Sequence, residues 1–279
     1  LNLVVEGDVE RTVFIISDHT GLTAESVARS LLAQFESVRF RYITRPFSDT
    51  EEEVYDLVYE IHSTYEREQQ RPIVFSTLAN PTLNDQLKTA PALHFDLFRT
   101  YLGELEHELG QPPTGRVGRL HSVSDNSYFT RIDAVDFVLA TDDGIGDRHY
   151  QMADVILIGV SRAGKTPTCL FLGLQYGLRA SNYPLAEEDF ERDTLPEPVK
   201  PYQDKIFGLT INPIRLHQIR TQRKPNSRYA SLEQCEYEVR RAEMLFKHVG
   251  LRYFDTTAAS IEEIATNIVQ SAGLQRRIG

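Results

Sequence analysis

Three observations predict an α/β protein of two domains, each built on a parallel sheet. Short apolar runs alternate with amphipathic stretches, the pattern of strands joined by crossover helices. The 279 residues exceed what a single hydrophobic core usually organises and suit two cores of ordinary size. The densest turn chemistry of the chain, GQPPTGRVG from residue 110, falls between two such alternating series. It divides the chain into an N-terminal parallel-sheet α/β domain, residues 1–110, and a second α/β domain, residues 111–279.

In the first domain TVFII (12–16) reads as a buried strand, followed by the polar loop SDHTGLTAE and an apolar periodicity over 24–35 that predicts a helix. Residues 39–43 read as a second strand, 51–69 as a long charged helix, PIVFS (72–76) as a third strand, and 95–109 as a further helix. In the second domain RIDAVDFVLAT (131–141) predicts a helix closed by the loop DDGIGD, and DVILI (154–158) a central parallel strand. A helix through TPTCLFLGLQYG that Gly177 can cap, strands at LRASNYP and KIFGLTI, and the basic helix NPIRLHQIRTQR follow. Two closing helices, 232–248 and 260–272, flank the short strand RYF.

Composition narrows the function. Forty acidic residues against 30 basic ones give a net charge of −10, which disfavours a general nucleic-acid binder, since phosphates need a basic field. No apolar run approaches the ~18 residues of a membrane span. The opening LNLVVEGDVE lacks a basic stretch leading into an apolar one, so a cytoplasmic protein is expected. Cys169 and Cys235 are the only cysteines, far apart and without ligand spacing, and read as buried thiols rather than a disulfide or zinc site. His94, His107, His121, His149, His217 and His248 show no metal spacing, and His19 lies in the loop after the first strand.

Between DVILI and the helix after it stands GVSRAGKT, residues 159–166, which fits the Walker A pattern in its strand-to-helix context and makes the second domain P-loop kinase-like. Gly159 and Gly164 let the backbone turn its amides toward phosphate oxygens, with Val160, Ser161, Arg162 and Ala163 forming the cradle between them. Lys165 supplies a charge to the terminal phosphate, and Thr166 can ligate Mg²⁺. No apolar strand after Thr166 ends cleanly in Asp, so a metal carboxylate or general base is expected from elsewhere. Asp142 and Asp143, in the turn before the P-loop strand, are the candidates. A solvated glycine turn would also account for them.

FIISDHTGLTAE, TDDG, ILIGVSRAGKTPT, KIFGLTINPIRLHQIR and NSRYASLEQC, in that order, resemble the bacterial phosphoenolpyruvate synthase regulatory protein family over nearly the whole chain. The resemblance implies a bifunctional enzyme: an ADP-dependent serine/threonine protein kinase that phosphorylates a threonine of phosphoenolpyruvate synthase, and a pyrophosphorylase that removes the group with inorganic phosphate. It implies ADP as donor, Mg²⁺ as companion ion and phosphoenolpyruvate synthase as partner, and leaves a homodimer open. Related members act on pyruvate, phosphate dikinase. Thr141 departs from the histidine often found before DDG in that family. On this reading Asp143 is the base shared by both directions, with Asp142 second.

Other residues have bland readings of equal standing. Ser17, Asp18 and Thr20 follow an apolar strand and suit either a second anion site or a helix cap. Arg215, Arg220, Arg223, Lys224 and Arg228 suit phosphates, an acidic partner or a solvated face. Tyr229 and Cys235 read as packing residues. A small-molecule P-loop kinase and a non-catalytic ADP sensor are the competing functions; the missing downstream carboxylate weakens the first and the acid pair the second.

Overall fold

A computed structural model describes residues 10–114, 126–142 and 147–278. The chain forms two compact units, Leu1–Ser122 and Val123–Gly279, each with a four-stranded, all-parallel sheet.

The first unit runs β1 (Glu10–Ser17), α1 (Leu22–Leu32), β2 (Arg39–Arg45), α2 (Glu51–Glu68), β3 (Ile73–Thr77), α3 (Pro81–Leu87), β4 (Leu93–Asp96) and α4 (Leu97–Leu109). Its strand order is β2-β1-β3-β4. β1 alternates strictly between two cores, because successive side chains of a strand face opposite ways. Phe14 and Ile16 pack with Val54, Leu57 and Ile61 of α2, while Val13 and Ile15 pack with Ala24, Ala28 and Leu32 of α1. Burial of both faces explains why this strand reads as an unbroken apolar run. α2 begins with a capping box, Thr50 accepting from the Glu53 amide while the Glu53 carboxylate accepts from the Thr50 amide.

One sequence expectation is corrected in this unit. The helix expected from residue 95 begins at Leu97, and Leu93–Asp96 is the edge strand β4. The Asp96 carboxylate accepts from the Arg99 amide as an N-cap, and this ends the strand and starts the helix.

The second unit runs α5 (Asn126–Ala140), β5 (Val155–Gly159), α6 (Lys165–Tyr176), β6 (Ala180–Pro184), β7 (Ile206–Thr210), α7 (Pro213–Arg223), α8 (Leu232–His248), β8 (Tyr253–Asp255) and α9 (Ile261–Ala272), with short 3-10 turns between. Its order is β6-β5-β7-β8. Every residue of β5 and β7 is buried. The core joins them to Cys169 and Leu172 of α6, Phe246 of α8 and Ile268 of α9. From β5 the chain moves to β6 on one side and returns to β7 on the other, which opens a crevice at the carboxyl end of β5, where ligands of such sheets bind. No helix among the described residues is long and apolar enough to cross a membrane.

Candidate functional site

The glycine loop lies between the end of β5 and the start of α6. Gly159 pairs with Leu209 of β7, and a Cβ at Gly159 would stand 2.3 Å from the Leu209 carbonyl oxygen. Only glycine lets the strand ends approach this closely. Gly164 turns into α6 at φ 86°, and no side chain caps that helix. The first-turn amides of α6 therefore have no intrahelical acceptor and suit an external anion. Arg162 is also left-handed, at φ 75°, and its side chain is exposed.

Lys165 is only 5% exposed. Its Nζ donates to the carbonyl oxygens of Gly159 at 3.0 Å and Val160 at 2.9 Å. The ammonium thus folds back across its own loop, and a phosphate entering the cradle meets a cation already in place.

The acid expected upstream of the loop reaches it. Thr166 Oγ1 donates to Asp142 Oδ1 at 2.8 Å, and Asn182 Nδ2 donates to the same oxygen at 2.5 Å. Asp142 lies two residues past the end of α5, and Thr141 between them is buried, its hydroxyl donating to the Phe137 carbonyl at 2.9 Å. The Thr141 carbonyl accepts from Ser181 Oγ of β6 at 3.3 Å. The residue ahead of the acids is a structural tie, and Asn182 beside it on β6 is fully buried. Asp143 and most of the loop DDGIGD lie outside the described residues.

The downstream strands supply no substitute. β7 ends in Thr210, whose hydroxyl donates to Glu243 at 2.8 Å. Asp255 ends β8, one strand further from β5, and accepts from the Thr257 amide. Mg²⁺ is usually held by one or two carboxylates together with substrate phosphate oxygens and water. Thr166 Oγ1 and Asp142 Oδ1, two adjacent oxygens where the glycine loop passes into α6, fit that mode. No group of three or more His, Cys, Asp or Glu positioned for a metal exists among the described residues, and this mode requires none.

The other sequence candidates separate clearly. Arg215, Arg223, Lys224 and Arg228 are exposed, and Arg228 pairs with Glu187 at 2.9 Å. Arg220 is instead fully buried and bonded to the glycine loop, its Nη2 donating to the Ser161 carbonyl at 3.0 Å. Tyr229, read from sequence as packing, has its hydroxyl 2.9 Å from Ser161 Oγ. Cys169 and Cys235 are buried thiols, and desolvation raises both above the usual thiol range.

Asn182 and Glu238 were not singled out in the sequence. For Asn182 a signal existed, since an asparagine inside a strand with buried neighbours needs a polar partner. Glu238, one of many acids on α8, carried none.

Residues 13–269 match the model of a family described as kinase/pyrophosphorylase. A Deinococcus radiodurans protein named "Putative phosphoenolpyruvate synthase regulatory protein" is 55% identical over 260 residues, 93% of this chain and 94% of its own. Proteins of the same name from Stutzerimonas stutzeri and Legionella pneumophila are 49% and 47% identical over 271 residues, 97% of this chain and 100% of theirs.

Proposed function

Because the chain belongs to the kinase/pyrophosphorylase family, we propose that it is a bifunctional regulator of phosphoenolpyruvate synthase. In one direction it moves the β-phosphoryl of ADP to a threonine of the target and releases AMP. In the other, inorganic phosphate takes that group back and leaves as pyrophosphate. The observation that carries this reading is the Thr166–Asp142 contact, which brings a carboxylate to a glycine loop whose flanking strands β6 and β7 end in Pro184 and Thr210. The names of relatives about half identical over nearly full length support the choice of target. A small-molecule kinase has no such support.

Roles follow from position. The loop amides and Lys165 hold the donor's phosphates and neutralise charge as it spreads over the transferred group, and positioning with charge neutralisation supplies most of phosphoryl-transfer catalysis. Thr166 and Asp142 would hold Mg²⁺, which would add to the neutralisation of phosphate charge. Asp142 is tied to Thr166 and Asn182, which suits it to ion binding and leaves the base to Asp143.

In the kinase direction Asp143 accepts the threonine proton as the oxygen bonds to the β-phosphorus and the bond to the AMP oxygen breaks. In the reverse direction an oxygen of inorganic phosphate bonds to the phosphothreonine phosphorus and the bond to the threonine oxygen breaks. The proton that Asp143 takes from phosphate returns to that oxygen. One carboxylate beside the transferred phosphoryl group is assigned to both directions, as base for threonine in one and for phosphate in the other.

The test is incubation of the chain with ADP and phosphorylated phosphoenolpyruvate synthase, with the modified residue mapped by mass. Threonine phosphorylation with AMP release is expected, reversed by inorganic phosphate with release of pyrophosphate. Labelling that requires ATP and ignores ADP would overturn the reading in favour of an ordinary kinase.

A further inference from the structure

The notable feature outside the loop is a fully buried guanidinium in a helix otherwise lined with exposed bases. Arg220 of α7 is 0% exposed and touches three elements. Its Nη1 donates to the Tyr229 carbonyl at 3.0 Å, its Nη2 donates to Glu238 Oε2 of α8 at 2.6 Å, and the same Nη2 donates to the Ser161 carbonyl at 3.0 Å. The guanidinium carbon lies 4.2 Å from the centre of the Tyr229 ring, a cation–π distance. Ser161 is thus gripped twice, at its carbonyl by Arg220 and at its hydroxyl by Tyr229. Behind these contacts Gln234 fixes the other Glu238 oxygen at 3.0 Å, and His217 Nδ1 lies 2.5 Å from the Ala230 carbonyl, tying the turn to α7.

We propose that Arg220, Tyr229 and Glu238 are positioning residues that preset the glycine loop for phosphate by fixing the Ser161–Arg162 peptide. In a trans peptide the carbonyl of one residue and the amide N–H of the next point to opposite sides, and the described residues contain no cis bond. Anchoring the Ser161 carbonyl on the buried guanidinium therefore turns the Arg162 N–H away from α7. That amide has no hydrogen-bond partner among the described residues. The grip also holds Arg162 at φ 75°, a left-handed conformation that is strained for a non-glycine residue and needs outside support. Glu238 balances the charge of Arg220, so the clamp orients the loop without adding a second net cation beside Lys165.

This rests on the loop being the phosphate site, as in the function proposed above. The test measures binding of ADP and of inorganic pyrophosphate by calorimetry, together with KM for ADP, kcat and thermal midpoint. Tyr229→Phe keeps the ring over Arg220 and removes only the hydroxyl. Tyr229→Phe and Ser161→Ala should each weaken binding of both probes about three- to ten-fold, the range of one hydrogen bond. KM should rise more than kcat falls, and the double variant should be no worse than the worse single one, because both delete the same contact. Arg220→Lys keeps the charge but cannot reach three acceptors at once, and should lose more affinity than Tyr229→Phe.

Unchanged affinity in Tyr229→Phe, or fully additive losses in the double variant, would overturn the clamp. Losses that merely track a falling thermal midpoint would do the same. A wild-type chain that binds pyrophosphate but not ADP, with the variants still weakened, would keep the clamp and refute the nucleotide reading. Binding of neither probe by the wild type would overturn both.

Discussion

β1 and β5 hold the same place in their sheets, the second position of a four-strand parallel order with the chain leaving to one side and returning on the other. Each ends in a short loop, residues 18–21 or 160–164, and each loop passes into a helix through a left-handed glycine, Gly21 at φ 77° or Gly164 at φ 86°. Topology alone therefore offers two ligand crevices. The side chains differ. In the first loop Ser17 Oγ accepts from the His19 amide and from Thr77 Oγ1, and the Asp18 carboxylate accepts from the Ala79 amide at 2.6 Å. These polar groups are spent on the loop itself, and the charge among them is negative. The second loop carries the exposed Arg162 and is followed by Lys165, whose ammonium folds back onto the loop, with a carboxylate against Thr166. On the function proposed above, the two crevices would differ because the polar groups of the first bond to its own neighbours while the second is open to an anion.

The sharpest way to break this contrast is to remove one carboxylate from each region. Asp143→Asn should slow both the kinase and the phosphate-dependent reaction by about 10²–10⁴-fold, the worth of general-base catalysis. Asp18→Asn should leave both rates near wild type. Rate assays in both directions check the pair, and a large loss in Asp18→Asn would make the first loop catalytic. Asp142→Asn separates the two acids further. Loss of an ion-binding carboxylate should be partly recovered by raising Mg²⁺, whereas loss of the base should not.

Lys165→Ala should lower both rates by about 10²–10³-fold, as for a donor aimed at developing charge. The ammonium donates to the Gly159 and Val160 carbonyls, and circular dichroism of the variant should show a retained fold. Activity within a few-fold of wild type in a folded variant would remove this loop from the mechanism.

Much of this contrast could be read along the chain. β1, β3, β5 and β7 are apolar runs bounded by turn residues, and GVSRAGKT announces its own context. The acid pair was proposed by elimination, since neither LRASNYP nor KIFGLTI ends in Asp; the structure places Asp142 against Thr166, and Asp143 lies outside the described residues. β4 was missed because four residues on a sheet edge, with Leu93 and Phe95 partly exposed, show too little alternation to outweigh the helical periodicity that runs back from α4. The Arg220 clamp was not legible for a different reason. Arg220, Tyr229 and Glu238 come from two helices and the turn between them, and only the packed fold turns one arginine of a basic helix inward while Arg215, Arg223 and Lys224 stay exposed.

A smaller effect should distinguish the two crevices by their glycines. At Gly159 an added Cβ meets backbone 2.3 Å away, whereas at Gly21 the nearest atom is a Thr44 side-chain carbon at 3.6 Å. Gly159→Ala should cost about 1–3 kcal/mol by forcing β5 and β7 apart and should also weaken nucleotide binding. Gly21→Ala should cost about 1 kcal/mol for its left-handed backbone alone, with binding unchanged. Denaturant unfolding and calorimetry on both variants check this, and a nucleotide-binding loss in Gly21→Ala would erase the distinction.

The smallest effect concerns Asp18, and its sign follows from burial. Desolvation raises the Asp18 carboxyl above its ordinary value, and the hydrogen bond from the Ala79 amide offsets this only in part. The native chain therefore holds this proton more tightly than the unfolded chain. Between the unfolded and the raised native value, stability falls as pH rises, and above both the penalty of a buried charge persists in full. Asp18→Asn keeps an oxygen for the Ala79 amide and removes the charge. It should raise the thermal midpoint at pH 7, with an advantage that shrinks through the acidic range and disappears below the unfolded carboxylate value. Comparing the two midpoints at each pH cancels every other titrating group, and exchange protection of the Ala79 amide gives a local reading of the same change. A lower midpoint for Asp18→Asn at pH 7 would mean that the charge itself is bound by something in the first loop, and the two crevices would then have to be regarded as two ligand sites.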